Sequence, residues 1–175
     1  MLWVKMPRYM KANKLRLRPL SIFDDSSINK WLRNKVILKT ERLSKPACLS
    51  WFFLWWWVKR RFTCSFCIEI DSRSVGFIAL YNMRLGKSAE ITLMIFESIF
   101  KRHGYGTMAF KFLAQNLQRH AVVEKVFARV EADNHTALSF WRSLGFMEVS
   151  SLEGITNLSL DLNGWSGRWG PGIQY

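Results

Sequence analysis

Residues 89–107 read AEITLMIFESIFKRHGYGT, and GYGTMAFKFLAQNLQRH continues the chain to residue 120. The first part is rich in β-branched and apolar residues and predicts a strand over 89–96. The last part places Met108, Phe112, Leu113 and Leu117 on one face of an amphipathic helix. Between them lies the loop Lys101-Arg102-His103-Gly104-Tyr105-Gly106-Thr107. Its glycines permit a sharp turn and leave backbone amides free at a helix N-terminus, where the helix dipole favours an anion. Lys101 and Arg102 add positive charge, so the residues predict a phosphate cradle. The loop is not a P-loop, which needs GxxxxGK[ST], and it lacks the third glycine of GxGxxG.

Downstream, EKVFARVEA (124–132) alternates as a strand. NHTALSFWRSLGF (134–146) offers Asn134 as N-cap and Gly145 as the stop of a second helix. One or two further strands occupy 146–162. Upstream, FTCSFCIEI (62–70) and SVGFIALYN (74–82) flank DSR and predict a hairpin. LRLRPL (15–20) alternates apolar and basic residues, and DDSSINKWLRNK after it has the caps and spacing of a helix. SWFFLWWWVKRR (50–61) places Trp51, Leu54, Trp55 and Val58 on one helical face. The order β-α-α-β-β-β-α-β-α-β predicts an α/β domain whose sheet is antiparallel first and gains a crossover helix late. A single domain over 1–163 and a flexible tail over 164–175 are expected.

The chain has 175 residues, 49% of them apolar, which suits one globular domain. Its net charge is +13, and residues 1–45 alone carry twelve cations against three acids. Such a balance suits an anionic partner or a solvated face. Cys48, Cys64 and Cys67 form no even disulfide set. The Cys64/Cys67 pair falls on a predicted strand, where positions three apart face opposite ways, so buried thiols and no metal are expected. The longest apolar run, Ala47–Val58, has twelve residues, against about 20 for a membrane span. No apolar signal segment opens the chain. A cytoplasmic protein is therefore expected.

Strand 89–96, the basic glycine loop, its helix, strand 124–132 and the block N-x-x-A-x-x-F-W-x-x-x-G-F at 134–146 together resemble the GNAT superfamily of N-acetyltransferases. The loop is similar to the family's [Q/R]-x-x-G-x-[G/A] motif, with Lys101 in place of the usual Gln or Arg. The phrasing of SVGFIALYN, AEITLMI and NHTALSFWRSLGF looks most like the RimJ/RimL branch. The resemblance covers 62–149 well and 15–61 more loosely.

It implies a mixed, largely antiparallel twisted sheet of about six to seven strands flanked by about four helices. A V-shaped cofactor cleft is implied between the fourth and fifth strands. It implies acetyl-CoA as cofactor, with its pyrophosphate on the amides from Arg102 to Thr107 beside Lys101. The pantetheine arm would lie along Leu93, Met94, Ile95 and Phe96, with Asn134, Ala137, Phe140 and Trp141 along the channel. The implied chemistry is direct transfer to a primary amine. Since free alkylamines are protonated near neutral pH, a base is needed; Glu90 is the first candidate, with Glu97 and His135 behind it.

Trp51, Trp55, Trp56 and Tyr81 are expected on the acceptor side. The acceptor is expected to be a nucleotide-linked aminosugar or a protein N-terminus, and a homodimer is an expected assembly. Many relatives carry Tyr as thiolate-protonating acid where this chain has Trp141, whose indole N–H donates hydrogen bonds but is no acid near neutral pH. That departure keeps open a CoA- or acyl-CoA-binding module with little catalysis. The basic N-terminal third keeps open a ribosome- or RNA-associated protein, although no nucleic-acid motif is present and nucleic acid is not the expected partner.

Overall fold

A computed structural model describes residues 9–12, 14–19, 64–96 and 98–167. Two expected helices, including the tryptophan-rich one, and the candidates Trp51, Trp55, Trp56 and Glu97 lie outside the described residues. The strands are β1 (Met10–Ala12), β2 (Leu15–Pro19), β3 (Cys64–Ile70), β4 (Arg73–Arg84), β5 (Ser88–Ile95), β6 (Lys125–Glu131), β7 (Met147–Leu152) and β8 (Ile155–Asp161). A 3₁₀ turn at Ser98–Phe100 precedes helix α1 (Tyr105–Arg119), and α2 (His135–Ser143) follows β6. All eight strands form one sheet in the order β1-β2-β3-β4-β5-β6-β8-β7. Among the described residues the sheet thus has eight strands, where six to seven were expected. The missed strand is β1, three residues long, too short for its alternation to be read.

The β3–β4 hairpin turns at Asp71 and Ser72, whose φ values of 47° and 65° are both positive. That pattern matches the right-handed twist of the strands it joins. The DSR segment of the sequence therefore does act as the turn. Every neighbouring strand pair is antiparallel except β5–β6. A parallel pair needs a crossover, and α1 supplies it.

The parallel pairing is short. It joins Ser88 to Lys125, Ala89 to Val126 and Glu90 to Phe127, and no further. Beyond Glu90, β5 runs on to Ile95 against β4 alone. Meanwhile β6 runs on to Glu131 against β8. The two strands separate and open a V-shaped gap, between the strands that count as fourth and fifth when β1 is left out.

The core under the gap follows from the helix period. Phe110, Leu113, Ala114 and Leu117 of α1 are buried with Ala89 and Ile91 of β5, Val126 and Ala128 of β6, and Leu158 and Leu160 of β8. Each large side chain buried in this way contributes about 1.5–3 kcal/mol. The core extends past residue 163. Trp165 packs its ring edge-on against Phe110 at 5.6 Å, and its indole N–H donates to Leu144 O at 3.1 Å. Gln118 donates from its amide to the carbonyls of Leu162 and Trp165. The start of the expected tail is thus anchored through Trp165; residues 168–175 lie outside the described residues.

Arg18 on β2 donates to Glu69 of β3 at 2.6 Å and to Ser74 of β4, so one guanidinium ties three strands together through two charge-assisted contacts. Among the described residues no helix is long and apolar enough to cross a membrane.

Candidate active site

Three elements converge at the open end of the gap: the C-terminal half of β5, the loop with the start of α1, and α2. Gly106 marks their meeting point. A Cβ there would stand 3.2 Å from Leu93 Cδ2 and 3.4 Å from Phe140 Cε2. Leu93 and Phe140, both nominated for the cofactor, therefore close on Gly106 from two sides. The smallness of residue 106 allows β5 and α2 to close on the first turn of α1.

The loop has the build of an anion site. Arg102 and Gly104 take positive φ values of 63° and 77°, which turn the chain sharply into the helix. Gly104 is the N-cap and has no side chain to cap with, and the first turn holds no acid. The first amide taken up by the helix ladder is that of Met108, which donates to Gly104 O at 2.9 Å. The amides of Tyr105, Gly106 and Thr107 precede it and remain available. Lys101, Arg102 and His103 are exposed beside them. His103 is held by a 2.8 Å contact between its Nδ1 and Lys101 O and by stacking on Tyr105 at 5.8 Å. A Cβ at Gly104 would meet nothing within 4 Å. An approaching anion would thus find donors, positive potential and open space together.

Strand β5 offers the backbone. The Phe96 amide donates to Val75 O at 3.0 Å, towards β4. By the alternation of an antiparallel ladder, the N–H and C=O of Leu93 and Ile95 point the other way, into the gap left by β6. Of the four residues nominated on this strand, these two present polar backbone to the cleft. The Leu93 side chain packs with the core below, whereas Phe96 stacks on Phe77 at 5.8 Å. A residue unmarked by its sequence context fixes this geometry. Gly76 lies opposite Ile95, and a Cβ on it would stand 2.2 Å from the Met94 carbonyl oxygen. Only glycine lets the two strands approach so closely.

On α2, Asn134 caps the helix through its side chain, accepting from the Ala137 amide at 3.1 Å. Ala137 and Phe140 are half-buried, while Trp141 is 5% exposed. Trp141 lies between Phe110 (5.8 Å), Phe140 (5.0 Å) and Phe146 (4.8 Å), so most of it packs the core. His135 is exposed on the first turn of α2.

Glu90 is the last residue of β5 paired to β6, at the apex of the split. Tyr81, half-buried, is its cross-strand partner on β4. Glu90 Oε1 accepts from Asn82 Nδ2 at 2.8 Å. Its Oε2 is buried and has no hydrogen-bond partner among the described residues. A carboxylate oxygen in that state is an acceptor waiting for a donor. Asn82 escaped the reading of the sequence, where it looked like the end of a strand; an Asn breaking an apolar run is the available signal.

Cys67 is buried, and burial raises the Cys64 pKa to about 11. Among the described residues no cluster of three or more His, Cys, Asp or Glu could hold a metal.

The model of the acetyltransferase (GNAT) family matches residues 31–146, well over half of the chain. An N-alpha-acetyltransferase of Sulfurisphaera tokodaii is 24% identical over 127 residues, covering 66% of this chain and 75% of the relative. Among solved structures, the spermidine N-acetyltransferase of Vibrio cholerae in complex with CoA and spermine matches with a TM-score of 0.74 at 15% identity. That match covers 87% of this chain and 98% of the other. The Salmonella typhimurium acetyltransferase that modifies the N-terminal serine of ribosomal protein L7/L12 matches with a TM-score of 0.69 at 15% identity, covering 85% and 95%.

Proposed function

The chain belongs to the acetyltransferase (GNAT) family and is an N-acetyltransferase that uses acetyl-CoA; we propose that its acceptor is the α-amine of a protein or peptide N-terminus and that Glu90 is the base. The observation that carries the role of Glu90 is its buried, unpartnered Oε2 at the apex of the β5–β6 split. The residues present fit the cofactor. Uncapped amides at Tyr105–Thr107, the open space over Gly104 and the adjacent cations suit a pyrophosphate. The N–H and C=O of Leu93 and Ile95 suit the amides of a pantetheine arm. Acetyl-CoA supplies the acetyl group as an activated thioester.

The chain's own residues would then act as follows. The loop amides with Lys101 and Arg102 bind and fix the anionic end. The β5 backbone aligns the arm with the apex of the gap. Glu90 Oε2 would accept the proton that an acceptor ammonium must lose before its lone pair can attack the thioester carbon, and the C–S bond that breaks would release CoA as a thiolate. Trp141 returns no proton, having only an indole N–H.

For the acceptor, the relative named as an N-alpha-acetyltransferase favours a protein α-amine, as does the ribosomal-protein acetyltransferase among the structural neighbours. The neighbour that holds spermine raises a polyamine as the rival. A net charge of +13 opposes capture of a polycation. The likeness of SVGFIALYN, AEITLMI and NHTALSFWRSLGF to the RimJ/RimL branch suits this acceptor and a nucleotide-linked aminosugar alike. Turnover on a panel of N-terminal peptides, spermidine and nucleotide-linked aminosugars tests this, with peptides expected to be preferred; preference for spermidine would overturn it. Glu90→Gln should lower kcat by about 10²–10⁴-fold and leave the acetyl-CoA Kd unchanged. Undiminished turnover would remove Glu90 as the base.

A further inference from the structure

We propose that Asn82 is a positioning residue for the catalytic carboxylate, holding Glu90 Oε1 so that Oε2 is the oxygen that takes the acceptor's proton. The proposal rests on the assignment of Glu90 as base. It begins from an irregularity in the β4–β5 ladder. Pairing is regular from Gly76↔Ile95 to Tyr81↔Glu90, then the register shifts before Arg84↔Ser88. Asn82 stands in the shifted segment with φ 48°.

In a regular strand, successive side chains point to opposite faces. Tyr81 is the cross-strand partner of Glu90, so a regular residue 82 would point away from the carboxylate. The bulge and the left-handed backbone re-aim it. Bulges do this beside functional sites, and Asn is among the few residues with a side chain that tolerate the left-handed region. The Asn82 amide nitrogen then donates to Glu90 Oε1 at 2.8 Å.

The chemistry of the donor matters. A carboxylate only accepts, and the Asn NH₂ only donates. The contact therefore fixes one oxygen and the rotamer without offering a competing proton acceptor. The other oxygen, Oε2, is left buried and without a partner among the described residues. A lysine or arginine at 82 would instead pair with the carboxylate as an ion and weaken it as a base. Asn82 supplies orientation without charge.

The test compares kcat and the acetyl-CoA KM of Asn82→Gly, Asn82→Asp, Glu90→Gln and the double variant Asn82→Gly/Glu90→Gln. Glycine keeps the left-handed backbone and removes only the donor. Asn82→Gly should lower kcat by about tenfold, the worth of a hydrogen bond to a charged group, with the acetyl-CoA KM within about twofold. Asn82→Asp should be worse, because it faces the carboxylate with a like charge. Since Asn82 acts through Glu90, the double variant should be no slower than Glu90→Gln alone. Two losses that multiply would overturn the proposal, as would wild-type kcat in Asn82→Gly with Glu90→Gln impaired. Wild-type turnover in Glu90→Gln would overturn the base assignment and this proposal with it.

Discussion

Replacing Gly104 by Ala separates the loop's conformation from its chemistry. Gly104 holds φ at 77°, and an L side chain in that region costs about 1–2 kcal/mol. No atom lies within 4 Å of the added Cβ, so the cost is purely one of backbone. The loop can relieve it by rotating residue 104 out of the left-handed region. That rotation would turn the Tyr105, Gly106 and Thr107 amides away from the place proposed for the pyrophosphate. Loss of two hydrogen bonds to a charged phosphate, at about 1.5–3 kcal/mol each, amounts to about 3–6 kcal/mol. At about 1.4 kcal/mol per decade this is about 10²–10⁴-fold in Kd.

Gly86 provides the control. It has φ 68° and nothing within 4 Å, but it lies in the β4–β5 turn, at the far end of β5 from the gap. Gly86→Ala should match Gly104→Ala in lost stability by urea denaturation and bind acetyl-CoA like the wild type in calorimetry. If the two variants bind acetyl-CoA within about twofold of each other, the amide cradle is wrong, since about 1.5 kcal/mol for even one lost contact would exceed that.

Two further outcomes follow from the same geometry. Gly76→Val should cost at least the upper end of the usual overpacking range, about 3 kcal/mol, because its Cβ meets a backbone carbonyl at 2.2 Å rather than a movable side chain. Urea denaturation reads this directly, and a loss below about 0.5 kcal/mol would refute the close approach of β4 and β5. Cys64, with its pKa raised from 9.0 to about 11 by burial, should resist alkylation at pH 8 and react faster as pH rises toward 11, followed at that residue by peptide mass spectrometry. The linked sign is fixed. The folded state holds the proton more tightly than the unfolded one, so this thiol's contribution to stability is intact below about pH 9 and is lost as pH climbs through 9 to 11. Rapid labelling of the folded protein at pH 8 would contradict the raised pKa of this half-buried thiol.

Much of this was written in local order. The loop KRHGYGT could be read because φ-permissive glycines, a following amphipathic period and neighbouring cations are properties of consecutive residues. The same holds for Asn134 as a helix cap and for the hairpin at DSR, whose turn chemistry is complete within a few positions. Glu90 was legible as a candidate only through the resemblance, since an acid beginning a strand has no mark of its own.

Other features needed partners far away in the chain. That β5 and β6 pair through only three residues and then separate depends on β4 and β8 each holding one of them, which neither strand's alternation encodes. Gly76 looks like any strand glycine until the Met94 carbonyl is brought against it. Trp165 looks like tail until Phe110 and Leu144 receive it. Asn82 and Glu90, eight residues apart, meet only because the ladder slips between them. A local pattern fixes what a segment becomes, through propensity and period. Which side chain is left with an unsatisfied oxygen depends on the sum of all its neighbours, and that sum exists only once the chain has folded.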